Sequence, residues 1–186
     1  MRAQETAFQL IAAVDRGSVV QNFLRRYAAE QDRPGRIRDA ARFRDLVDAI
    51  RREAFLAMCL RLQEEASRRF RLRRGPRRTD EVAHRDLAKL FWDEFYVALG
   101  RGLDYSREEF EKFHRDLELY RTLSRNASGP HHTKMPSLKG PFVDRCGFLL
   151  DSPMLEQGRL AAGQLQLQLN ALASAVLQKV FARREG

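Results

Sequence analysis

Along most of the chain the apolar residues recur at steps of three and four. Nowhere do β-branched residues alternate in twos between turn signals, so the pattern predicts helices and no strands. A first helix is predicted from Gln4 to Glu30, with Phe8, Ile11, Val19, Val20, Phe23 and Tyr27 inward. Gly17 is its one candidate interruption, since glycine costs about 1 kcal/mol relative to alanine inside a helix. "DRPGR" at 32–36 breaks the chain. A long second helix follows, with Phe43, Leu46, Val47, Ile50, Ala54, Ala57 and Met58 forming one stripe, and Gly75-Pro76 ends it.

Thr79, Asp80 and Glu81 open a third helix, because oxygen acceptors and negative charge belong at that end. Its buried face is read as Leu87, Leu90, Phe91 and Phe95, beside Trp92. Ser106 and Glu109 match the capping box of a fourth, whose inward side is Phe110, Phe113, Leu117, Tyr120 and Leu123. From Arg125 to Ser152 the period fails, and the segment reads as an irregular loop. Ser152-Pro153 then starts a last helix with Leu165, Leu169, Leu172, Val176 and Val180 as its stripe. The expectation is an all-α, single-domain bundle (residues 1–186) of about five helices, with a long irregular segment at 125–152 before the last.

The 186 residues are 44% hydrophobic and 32% charged, enough for a core and against wholesale disorder. No run reaches the roughly 18 to 20 apolar residues of a membrane span, and the first residues lack the apolar stretch of a secretory signal. Cys59 and Cys146 are too few for a disulfide framework and have no ligands at zinc spacing. These features point to a soluble, cytoplasmic protein, off the membrane and without a cofactor. Charge narrows the partners. Thirty-four Lys+Arg against 25 Asp+Glu give +9, mostly from arginine, a balance that favours polyanion partners, nucleic acid or a nucleotide, although a GC-rich genome favours arginine codons as well.

Two kinase-like fragments fall away. "HRDL" occurs at 84–87 and 114–117, but the position four residues beyond each leucine holds Phe91 or Arg121 rather than asparagine. No glycine-rich loop or DFG accompanies them, so both read as helix faces. Glu111, His114 and Glu118 share a face at metal-site spacing, yet no second helix offers a matching set, and a salt-bridged surface is the better account.

The arginine segment "RRFRLRRGPRR" carries Arg68, Arg69, Arg71, Arg73, Arg74, Arg77 and Arg78, interleaved with Phe70 and Leu72. Guanidinium forks grip phosphates bidentately and stack on bases. Seven like charges in eleven positions repel one another and exceed what a helix end needs for capping. The segment is the candidate nucleic-acid-binding surface.

"RNASGPHH", residues 125–132, gathers Arg125, Asn126, His131 and His132. Arginine followed by asparagine and, after five or six intervening residues from Arg125, by His131 or His132 resembles the R-x4-6-H motif of the HEPN superfamily. These are helical-bundle proteins that include many metal-independent ribonucleases. The resemblance implies a site in which a histidine moves the protons of the 2′-hydroxyl and the leaving 5′-oxygen. Arg125 would stabilise charge on the phosphorus, and Asn126 would orient substrate or histidine. It also implies a homodimer or matched partner subunit, because family members usually bring two motifs together. His131 and His132 remain alternatives for the same role, and a polar loop capping a helix end explains the stretch without catalysis. A non-catalytic RNA- or DNA-binding subunit, or an adaptor in a larger assembly, is the competing reading of the whole chain. Beyond the motif, Phe142, Val143, Phe148 and Leu149 either dock the segment on the bundle or form a partner site rimmed by Lys134 and Lys139.

Overall fold

The structure is a computed structural model that describes residues 3–15, 18–30, 40–72, 81–127, 140–150 and 155–182. Among these the chain forms α1 (Ala3–Asp15), α2 (Val19–Glu30), α3 (Ala40–Leu72), α4 (Glu81–Gly102), α5 (Arg107–Ala127), α6 (Pro141–Leu150) and α7 (Leu155–Ala182), with no strand. The all-α bundle is as predicted, but the described residues form seven helices where about five were expected.

The two additional helices have local causes. The predicted first helix divides because Ser18 takes a positive φ of 47°. Its N–H donates to the Asp15 carbonyl at 3.0 Å, and its own carbonyl accepts from Asn22 N–H at 2.8 Å. One residue thus closes α1 and starts α2. The second departure lies inside the segment expected to be irregular. Arg125 to Ala127 continue α5, and Pro141–Leu150 form α6. Gly140 and Pro141 act there as a start rather than a stop. Gly140 has φ +149°, Pro141 occupies the first helical position, and the Asp144 N–H donates to the Gly140 carbonyl at 3.0 Å.

α3 is the central helix, touching α2, α5, α6 and α7, while α1 lies along α4 and also meets α7. Phe55, Phe95, Phe113, Tyr120 and Phe142 are the largest fully buried side chains, drawn from four helices. The close packing of α6 on α7 depends on Gly147. A Cβ added there would lie 3.0 Å from the Arg159 nitrogen and 3.1 Å from its Cα. Between α4 and α5 the capping box forms as predicted: Ser106 N–H donates to Glu109 Oε2 at 2.8 Å, and Glu109 N–H to Ser106 Oγ at 3.3 Å.

Several inward assignments change. Phe8, Leu90 and Leu123 are exposed, because the buried faces of their helices centre instead on Ala7 and Leu10, on Phe95 and Leu99, and on Phe113, Leu117 and Tyr120. No helix among the described residues is long and apolar enough to cross a membrane.

Candidate nucleic-acid interface

Arg68, Arg69 and Arg71 have their backbone in the last turns of α3, which ends at Leu72. Arg73, Arg74, Arg77 and Arg78 lie outside the described residues. Arg125 and Asn126 sit in the last turn of α5, while His131 and His132, with Lys134 and Lys139, lie outside the described residues. The helix ends that carry these two groups are brought together by contacts the sequence pattern does not show.

Three cross-links fix α5 on α3. Arg52 Nη2 donates to Asp116 Oδ2 at 2.9 Å, the Tyr120 hydroxyl donates to Glu53, and Arg121 Nη2 donates to Gln63 Oε1 at 2.7 Å. The partner numbers rise together along both helices, so the two run toward a common end. Arg68 then stands about 7.5 Å beyond Gln63 along α3, and Arg125 about 6 Å beyond Arg121 along α5, at 1.5 Å of rise per residue. Gln63 Nε2 also donates to the Tyr96 hydroxyl, which binds α4 into the same corner. Burial pushes that hydroxyl's pKa well above its usual value, so it stays protonated.

The charge of the sequence that runs on from this contact is one-sided. No Asp or Glu occurs from Ala66 to Thr79, the stretch that holds all seven arginines, nor from Leu119 to Val143, which holds Arg121, Arg125, both lysines and the two adjacent histidines. On α5 the acids stop at Glu118, which accepts from Arg121 Nη1. Positive residues at both C-termini also complement the helix dipoles, so the arrangement stabilises the helices whatever it binds.

The remaining chemistry is structural. His114 is half-buried edge-on between Phe110, with ring centroids 4.6 Å apart, and Tyr96, at 5.1 Å. Burial lowers its pKa. Glu111 pairs with Arg107 at 3.1 Å and Glu118 with Arg121, which accounts for the acids beside it. Among the described residues no group of three His, Cys, Asp or Glu side chains could hold a metal ion. In the second "HRDL", Asp116 pairs with Arg52 and Leu117 is core.

The periodic reading missed one buried polar cluster. Glu53 accepts from Tyr120 through one oxygen and pairs with Arg145 Nε at 3.3 Å through the other, and the Arg145 guanidinium lies 5.5 Å from the Tyr120 ring centroid. Burial, the largest influence, raises the Glu53 pKa against the opposing pull of Tyr120 and Arg145. The available signal was a glutamate set between Ile50, Ala54 and Ala57 on an otherwise apolar stripe. Cys59 and Cys146 are buried and free, and burial drives both thiols upward, away from nucleophilic or ligand roles. Downstream, the open alternatives divide. Phe142 and Val143 dock α6 on the core, whereas Phe148 (63% exposed) and Leu149 face outward.

No family model, curated protein or solved structure matches the chain.

Proposed function

We propose that this chain is an RNA-binding helical protein of HEPN-like type, with the arginine-rich end of α3 as its phosphate-binding surface. In this reading it is a metal-independent endoribonuclease acting through Arg125, Asn126 and His131 or His132. The observation that carries the proposal is the Arg121–Gln63 hydrogen bond, which joins α3 and α5 where each enters an acid-free, arginine-bearing stretch of sequence. Two such stretches beside each other repel, and a polyanion relieves that repulsion while releasing its own counterions. The helical setting of Arg125 and Asn126 supports the catalytic part, because it fixes the backbone of both residues. The HEPN-like reading also calls for a homodimer or matched partner subunit that completes the site.

The non-catalytic alternative, an RNA- or DNA-binding subunit, draws on the same arginines. The two separate by cleavage of an end-labelled RNA pool in EDTA. Wild-type protein is expected to cleave, and the His131→Ala/His132→Ala variant to bind RNA without cleaving it. Binding without cleavage by both proteins refutes the nuclease and leaves the binding module. Absence of salt-sensitive binding refutes both.

A further inference from the structure

The longest stretch without a charge lies on α7. From Leu160 to Gln178, 19 consecutive residues of α7 hold no Asp, Glu, Lys or Arg, in a chain that is 32% charged. A buried helix would explain this, but α7 is buried on one side only. Leu165, Leu169, Ala173, Val176 and Leu177 face the core, whereas Leu160 (49% exposed), Gln164, Leu167 (52%), Ala171 and Gln178 are open to solvent, with Ser174 at their edge. The outward residues step by four and three, which is the a/d spacing of a helix–helix seam. A solvated face ordinarily carries charge; this one carries leucine, alanine, serine and amide.

We infer that this outer stripe of α7 is the docking surface for a second copy of the chain, paired antiparallel about a two-fold axis near Leu169. Two arguments select a second copy. At a net charge of +9, two molecules repel each other almost everywhere, and the stripe is a face about 27 Å long, at 1.5 Å per residue, that carries no charge. Its polar groups are also self-complementary, since amides and hydroxyls both donate and accept, so each can be satisfied by its own copy.

The order of residues selects the antiparallel arrangement. About that axis Leu167 meets the partner's Ala171, Gln164 meets the partner's Ser174, and Leu160 meets the partner's Gln178. Every large side chain faces a smaller or flexible one, and the spacing between the helices stays even. A parallel pair sets Leu160 and Leu167 against themselves at one end and Ala171 and Ser174 against themselves at the other, which leaves a gap. This inference is independent of the nucleic-acid reading.

The test is light scattering on the full chain across a dilution series, with disulfide trapping. Wild type is expected at twice its 21.6 kDa chain mass. Leu167→Glu, at a position already half in solvent, is expected to run at 21.6 kDa with unchanged helical circular dichroism. Leu167→Cys/Ala171→Cys is expected to cross-link on oxidation, and Leu167→Cys alone to stay uncross-linked. A monomeric wild type overturns the proposal, as does a dimer that survives Leu167→Glu. Cross-linking by Leu167→Cys alone overturns the antiparallel arrangement.

Discussion

Glu53 shows how one side chain sets a dependence on pH opposite to that of most carboxylates. Burial raises its pKa in the fold above the ordinary value of 4.5, so between those two pKa values the folded state binds more protons than the unfolded one. Stability therefore falls as pH rises through that window, because ∂ΔG/∂pH follows the protons bound unfolded minus those bound folded. Glu53→Gln keeps an acceptor for Tyr120 and removes the desolvated charge. The half-exposed Arg145 guanidinium can turn to water. The stability of wild type minus that of Glu53→Gln is expected to be flat below pH 4.5 and to decline above it, read from urea unfolding at several pH values. A difference that rises with pH would mean that the Arg145 and Tyr120 contacts outweigh burial. His114 adds a slope of the usual sense: its pKa is lowered by burial, so its contribution is present above 6.5 and lost as pH falls. The difference measurement separates the two. Neither role is written in the sequence, since the partners of Glu53 lie 67 and 92 residues away and periodicity carries no information at that range.

At the scale of elements, what was legible is what is local. The α3 stripe from Val47 to Met58 and the Ser106–Glu109 box depend on neighbours within four residues, and both form as read. Gly140-Pro141 is as local, but the same two residues can end one helix or begin another, and tertiary docking of Phe142 and Val143 decides between them. Once α6 exists, Gly147 is the residue that lets it lie against α7. Gly147→Ala places a methyl group against Arg159 backbone, which a rotamer change cannot relieve, so the helices must separate. The expected cost is about 1 to 3 kcal/mol, the range for overpacking a close contact. Gly102→Ala is the control, because the one tight contact of its added methyl is the tip of the Ile11 side chain, at 2.5 Å, which can move aside, while Phe8 lies at an ordinary 3.7 Å. Urea unfolding of the two variants should place Gly147→Ala clearly below Gly102→Ala. Equal midpoints would show that α6 yields without cost.

For the whole molecule, charge is unevenly divided: arginines concentrate in the sequence from the last turns of α3 onward, and charge vanishes along the outer side of α7. The arginine run was visible as composition, but the link between the helix that carries its first residues and the helix that carries Arg125 rests on the Gln63–Arg121 contact between residues 58 apart. That placement makes a quantitative prediction. Binding to single-stranded RNA should weaken linearly in log salt, with a slope near −0.7 per phosphate neutralised. Arg68→Ala/Arg69→Ala/Arg71→Ala is expected to reduce the slope's magnitude by about 2 if each arginine holds one phosphate. His131→Ala/His132→Ala should leave the slope unchanged above the histidine pKa, since neutral imidazoles release no counterions. Fluorescence anisotropy titrations at four or more salt concentrations measure both. A triple arginine variant with the wild-type slope would remove the end of α3 from the interface, and the phosphate contacts would then have to come from Arg73, Arg74, Arg77 and Arg78 or from the basic stretch that follows α5.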